Sequence, residues 1–205
     1  MVFQEFYKTW FEQACFTSNQ VYSWRDGFDK NNLGRWVRQG LVIKLRNGLY
    51  TFPEYLKVPD IGGYVANRMY LPSYISLHTA LNFHGLIPEA IIQYSSITSL
   101  KTKTFKNPFG TFVYKSIKPE CYFGYDILDF DTHKSILMAT PEKAILDLLY
   151  LYPFYKSEKD FMDLRFDKSV LEETVNKDIL IEFAARFNNK SLIYRINNLM
   201  KTYLL

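Results

Sequence analysis

Residues 29–52 read DKNNLGRWVRQGLVIKLRNGLYTF, and the fold turns on this stretch. Asp29 is a good helix N-cap and Gly40 a natural left-handed stop, so the spacing predicts a helix over 29–39. On it Leu33, Trp36 and Val37 share one side, which Leu41 continues. Asn31, Asn32, Arg35, Arg38 and Gln39 lie mostly on the other, and at about 100° per residue positions 31, 35 and 38 form one ridge. Beyond Gly40, LVIKL and LYTF are short β-prone runs. The Asn47-Gly48 pair between them supplies the backbone freedom of a tight hairpin.

Upstream, Phe3, Phe6, Tyr7, Trp10 and Phe11 recur at three- and four-residue spacing and predict a helix over about 3–14. A second, short helix is expected to start after Thr17 or Ser18, either of which can cap it, and to run through Val21, Tyr22 and Trp24 toward Gly27. Three helices and a hairpin within about fifty residues are the outline of a winged helix-turn-helix. Pro53 and Pro59 mark a boundary, dividing a first domain, 1–58, from a second, 59–205.

In the second domain DIGGYVANRMY and SYISLHTALNFHG read as two helices, the latter ending at Gly85. Between 91 and 138, short β-branched and aromatic runs broken by Pro, Gly and Asn predict a small, mostly antiparallel sheet. TPEKAILDLLYLY then opens with Thr140 as N-cap, Pro141 at the first helical position and Glu142 in the first turn. From about 158 the chain reads as three or four short amphipathic helices. The expected class is α+β: an N-terminal winged helix-turn-helix, then a mixed domain with several helices.

The formal charge of +4 over 205 residues is small, but its distribution is uneven. Residues 25–46 carry a net +4, residues 101–118 a net +5 with no acid, and 119–205 a net −3. Localised positive charge on a mixed surface points to a polyanion. Arginine can bond bidentately to guanine, and Asn or Gln to adenine, so Asn31, Asn32, Arg35, Arg38 and Gln39 suit a major groove. Lys30 and the helix start suit phosphate, and Lys44, Arg46 and Asn47 of the hairpin suit a backbone or minor groove. Taken alone, a polar helix face is as well explained by solvation. Joined to two preceding helices and a basic hairpin, it makes double-stranded DNA the expected partner. A winged helix that binds protein is the alternative. For Lys101, Lys103, Lys106, Lys115 and Lys118 two readings stand: a second phosphate-contacting strip, or a mobile solvated loop around Asn107-Pro108.

Enzymatic constellations are weak. His78, His84 and His133 do not share a face, and Cys15 and Cys121 fit no metal or redox spacing, so no metal and no cofactor are expected. Asp126, Asp129 and Asp131 resemble a two-metal carboxylate set, yet Gly124 is followed by tyrosine and lies too close to them for a nucleotidyltransferase Gly-Ser turn. Glu142 is explained as a first-turn carboxylate. Gly62-Gly63 lacks the setting of a phosphate loop. No catalytic residue is assigned, and a metal-dependent nucleotidyltransferase is the most distant alternative. The start, MVFQEFYKTWFEQ, has no targeting pattern, and no apolar run spans a membrane, so the cytoplasm is the expected location.

Three segments resemble the AbiEi-type antitoxins, the regulator half of type IV abortive-infection toxin–antitoxin systems. They are LGRWVRQGLVIKLRNGLYTF (33–52), with its Gly40, Gly48 and Tyr50 spacing, YISLHTALNFHGL (74–86) and ATPEKAILDLLYLYP (139–153). Together they span roughly residues 15–155. The resemblance implies a winged helix that represses its own operon and a larger C-terminal antitoxin domain. It also implies a nucleotidyltransferase-like toxin as counterpart, countered without a stable complex. The family's recognition role falls on Asn31, Asn32, Arg35 and Arg38, and its wing role on Lys44, Arg46 and Asn47. Asn47 stands where arginine is common in the family, which implies a weaker minor-groove grip.

Overall fold

The computed structural model describes residues 3–88, 92–131 and 134–203. The first helix, α1 (Phe3–Trp10), buries Phe6 and Trp10, and the rest of the predicted helix tightens into a 3-10 turn over Phe11–Gln13. Ala14, at φ 55°, ends it. Strand β1 (Cys15–Thr17) follows, where no strand was expected. Helix α2 (Ser18–Trp24) starts at a capping box: Gln20 N–H donates to Thr17 Oγ1 at 3.2 Å, and Thr17 N–H donates to Gln20 Oε1 at 2.7 Å. Such a box satisfies two backbone donors that the first helical turn leaves free. Helix α3 (Asn31–Arg38) begins slightly later than predicted, with the Asp29 carboxylate accepting from Asn31 N–H at 3.0 Å.

Strands β2 (Ile43–Arg46) and β3 (Leu49–Thr51) form the predicted hairpin, and β1 joins them in an antiparallel sheet of order β1-β3-β2. Aromatic rings hold this part to α1. The Phe6 ring lies 4.5 Å from Trp36, 5.4 Å from Phe16 and 5.8 Å from Phe52, centroid to centroid. Such pairs contribute roughly 0.5–1.5 kcal/mol each beyond burial.

The remainder runs α4 (Ile61–Met69), β4 (Ser73–Ile75), α5 (Leu77–Phe83), β5 (Tyr94–Thr98), β6 (Lys103–Asn107), β7 (Gly110–Ser116), β8 (Tyr125–Asp131) and β9 (Lys134–Ala139). Then come α6 (Pro141–Leu151), α7 (Glu158–Asp163), α8 (Lys168–Thr174), α9 (Lys177–Arg186) and α10 (Lys190–Tyr203). The described residues thus form ten helices and two sheets, a mixed architecture compatible with α+β. The larger sheet has the order β6-β7-β5-β4-β9-β8. It corrects one expectation. SYISLHTALNFHG is a strand followed by a helix, because its first residues are buried between β5 and β9 rather than on a helix face. The sheet is mostly antiparallel as expected, in three of its five strand pairings, while β4–β9 and β5–β7 run parallel.

Helix α4 lies close against this sheet. A Cβ on Gly62 would fall 2.0 Å from the Tyr94 hydroxyl, so Gly62 is required by close packing, not by a phosphate. Strand β4 is short, and α4 finishes its work. Leu137 N–H donates to Asn67 Oδ1 at 2.7 Å, while Asn67 Nδ2 donates to Leu137 O at 3.4 Å. The buried hydrophobic residues of both sheets belong to one continuous cluster. Across the predicted boundary at residue 58, the Tyr64 hydroxyl donates to Gln13 O at 3.3 Å and Asn107 Nδ2 to Leu45 O at 3.4 Å. No described helix is long and apolar enough to cross a membrane.

On the opposite face, α6 is buried from Glu142 through Leu149. Thr140 caps it as predicted, accepting from Lys143 N–H at 3.3 Å. Glu142 is not merely a first-turn carboxylate: it is buried and accepts from Asn176 N–H at 2.8 Å, tying α6 to the start of α9. One turn on, Lys143 and Asp147 form an ion pair with both side chains fully buried. Asp147 also accepts from the Tyr74 hydroxyl at 3.0 Å and the Ser76 hydroxyl at 2.7 Å. The Lys143 ammonium donates to Tyr74 Oη at 2.8 Å and lies 5.2 Å from the Phe123 ring centre and 4.9 Å from that of Phe187. Burial pushes Lys143 down and Asp147 up, and each partner opposes the shift of the other.

Breaking one member of a buried pair leaves a charge without compensation. Asp147→Ala is expected to destabilise the chain by about 3–5 kcal/mol. Replacing both partners, as Lys143→Met with Asp147→Leu, should cost less. Urea unfolding of both variants checks this; equal losses would show the pair to be uncoupled.

Candidate nucleic-acid interface

The α3 ridge forms because Leu33 and Trp36 are drawn into the aromatic cluster, which turns the opposite side outward. Asn31, Arg35, Arg38 and Gln39 are all exposed. Asn32 is not on that ridge. It is only 7% exposed, and its Oδ1 accepts from Arg35 Nη1 at 3.2 Å. The placement corrects its expected base-reading role: Asn32 positions Arg35 from behind. Asp29 approaches the same guanidinium at 3.9 Å, yet the Arg35 side chain remains 55% exposed. Arg35 is therefore oriented but still free to bond a partner, an arrangement that lowers the entropy lost on contact.

The hairpin carries its own pattern. Lys44 is exposed and pairs across the strands with Tyr50, whose phenol is raised first by burial and then by the neighbouring Tyr22. The Lys30 ammonium lies 5.1 Å from the Tyr22 ring centre. The helix-start lysine and the hairpin lysine therefore each sit beside a tyrosine, Tyr22 and Tyr50, and nothing in their sequence spacing foretold it. Gly48 has φ 76° and Asn47 does not share a positive φ, so the turn is closed by one left-handed residue with a bulge at Arg46. Asn47 is exposed at the tip. Arg46 behaves differently from the expectation. It is half-buried, its Nε donates to the Met69 carbonyl at the end of α4, and its Nη1 donates to Asn47 O at 2.8 Å. A guanidinium committed to two carbonyls holds the hairpin onto α4 and has fewer donors left for phosphate.

Residues 103–116 are not an irregular stretch. They form the antiparallel β6–β7 hairpin, paired from Lys103↔Tyr114 to Asn107↔Gly110. Nor are its lysines one strip. Lys103 and Lys106 line a cleft of about 670 Å³ with Arg46, Asn47, Tyr70 and Phe105, and Lys101 is held at its end by Tyr70, whose hydroxyl donates to the Lys101 carbonyl at 3.1 Å. Lys115 instead faces the Tyr152 ring at 5.9 Å, and Lys118 is exposed before the turn at Pro119. The structure therefore brings Lys103 and Lys106 to the hairpin and sends Lys115 elsewhere. Tyr70 was missed by sequence reasoning, because its part in the cleft depends on β2 and β6 lying side by side, where Asn107 Nδ2 donates to Leu45 O.

No protein-family model matches the chain, and a search of curated proteins finds no match. Function rests on the geometry and on the sequence itself.

Other predicted groups take structural places. His84 Nε2 lies 2.8 Å from Ala139 O, and His78 packs edge-on against Tyr152. His133 lies outside the described residues. Asp131 pairs with Lys134 at 2.8 Å. Among the described residues no group of three or more His, Cys, Asp or Glu is placed to hold a metal ion. Cys15 and Cys121 are buried apart, and burial pushes the Cys15 thiol up to about 12.

Gly48→Val should force a β-branched residue into a left-handed conformation, at about 1–2 kcal/mol of local strain. The expected outcome is weaker duplex binding with the larger sheet intact. Gel-shift titration beside near-ultraviolet circular dichroism tests it, and normal binding would remove the hairpin from the interface.

Proposed function

We propose that this chain is a sequence-specific DNA-binding repressor whose N-terminal part works as a winged helix-turn-helix. The observation that carries the reading is the α3 ridge. Asn31, Arg35, Arg38 and Gln39 are exposed together on a helix whose other side is locked into the core, and a hairpin bearing Lys44 and Asn47 follows directly. In this reading α3 enters the major groove, Arg35 and Arg38 bond base edges, and Lys30 with Lys44 neutralises phosphate. The cleft that joins Arg46 and Asn47 to Lys103 and Lys106 supports a footprint longer than the winged helix alone. Each phosphate neutralised would steepen the log–log salt dependence by about one unit.

The second half of the proposal rests on sequence resemblance. The segments 74–86 and 139–153 support an antitoxin of the AbiEi type, autoregulating its operon and countering a nucleotidyltransferase-like toxin in the cytoplasm without a stable complex. In this reading residues 1–58 carry recognition and 59–205 the antitoxin role, and no catalytic group is involved.

Arg35→Ala and Arg38→Ala are each expected to weaken operator binding by roughly 1–3 kcal/mol. Equal loss on random duplex would make them phosphate contacts, and no duplex binding by the unaltered chain at low salt would sink the DNA reading.

The double substitution Arg35→Ala/Arg38→Ala leaves Leu33 and Trp36 in place and should abolish repression while still protecting cells from a co-expressed cognate toxin. It is a cleaner test than truncation, because contacts across residue 58 would be cut by removing the first part. Loss of protection at normal protein abundance would refute the division of roles.

A further inference from the structure

The larger sheet ends in two edges of opposite character. At one end is β6, whose Asn107 bonds the hairpin strand β2 through the Leu45 carbonyl. At the other is β8, seven residues long and, among the described residues, paired only with β9. From Asp126 to Phe130 no backbone group bonds any described residue beyond β9. Proteins usually blunt such edges by shortening, bulging or covering them. Here the bulge comes late, between Asp129 and Asp131, so the strand from Tyr125 to Asp129 keeps regular register. Ile127 in its middle is 69% exposed.

A cavity of about 450 Å³ opens beside this edge. Leu128 of β8, Ile136 and Met138 of β9, Ile75 of β4 and Phe83 of α5 give it apolar walls. Asp60, before α4, and Asp129 line it, and among the described residues no basic side chain does. Exposed Asp126 and Asp129 put carboxylates on both faces of β8, whereas among the described residues Lys134 pairs with Asp131.

We propose that the β8 edge receives an extended, basic segment of another protein by strand addition. Main-chain hydrogen bonds to the outer side of β8 would supply affinity, and alternate side chains the specificity. On one face an apolar side chain would lie beside Leu128 at the cavity mouth. Lysine or arginine would meet Asp126 and Asp129. The charge selects this occupant over a second copy of the chain: β8 against β8 would gather the carboxylates of both strands along one seam, where like charges are destabilising. The β6 edge of a second copy is basic, but it lies against its own hairpin. The site is distinct from the α3 ridge, so it can fail or hold independently of the DNA reading.

The test uses the full chain and a short peptide alternating lysine and valine, followed by fluorescence anisotropy and amide hydrogen exchange. Binding is expected, with slowed exchange at β8 amides. The double substitution Asp126→Lys/Asp129→Lys should weaken binding about tenfold and leave duplex binding unchanged. If that variant misfolds, Asp126→Asn/Asp129→Asn should show the same direction with a smaller loss. Two control peptides should bind poorly: one alternating glutamate and valine, and one of lysine and valine with its backbone N-methylated. Equal binding of either control, or binding without β8 protection, would overturn the proposal.

Discussion

The buried pair of Lys143 and Asp147 is the interaction on which the larger part of the chain depends. Taking two charges out of water costs several kcal/mol per ion, and only dense compensation makes it tolerable. Asp147 collects Lys143, Tyr74 and Ser76, so one carboxylate fixes α6 against β4 and the start of α5. Lys143 adds Phe123 and Phe187, which attaches the approach to β8 and the end of α9. Glu142 then secures Asn176, and Arg195 of α10 donates to Leu149 O at 3.1 Å. A helix buried on every side has no solvated face on which to relax. Its polar groups must all find partners inside, and those partners determine where the C-terminal helices dock.

That rigidity has a consequence at the other side of the molecule. The α4 carbonyl that accepts from Arg46 belongs to a helix pressed on the same sheet that α6 supports from behind. The hairpin is therefore anchored to the larger sheet rather than only to its own three helices. An arginine that looks like a free cation in sequence has become a strut, and the exposed charge of the hairpin falls to Lys44. On α3 the opposite has happened, since Asn32 and Asp29 steady Arg35 without enclosing it. Recognition by such a surface would depend on α3 for direction and on the lysines for general attraction.

Much of this was legible in sequence, for physical reasons that also mark where it stopped. Capped helices were readable because their signals are local: Thr17, Asp29 and Thr140 each accept from a backbone amide two or three residues on. Gly48 was readable because few other residues accept its φ of 76°. Strand β1 was not, since three residues between two helical turns carry no alternation to count. Strand β4 was hidden for a related reason. All three of its residues are buried, so its pattern matches the beginning of an apolar helix. The cleft was beyond reach, because it requires β2 and β6 to meet across some sixty residues of chain. The pairing of Lys143 with Asp147 had the spacing of any surface helix pair, and nothing local says that it is buried.

Charge segregation is the last consequence of this architecture. The strand order sends β6, with its lysines, to the end of the sheet that meets the hairpin, and β8, with its aspartates, to the far end. A polyanion attracted to the first end would be repelled by the exposed carboxylates of Asp126 and Asp129 at the second. The sheet therefore gives the molecule a direction. In the proposed reading, contacts with a duplex would be confined to the side where α3, the hairpin and β6 stand, and the acidic edge would stay turned to a partner of the other sign. Because screening lengths in salt are about 8–10 Å, an acidic edge separated from the basic end by four further strands, each roughly 4.7–4.9 Å from the next, lies beyond the reach of its field. Both ends can therefore act without either weakening the other.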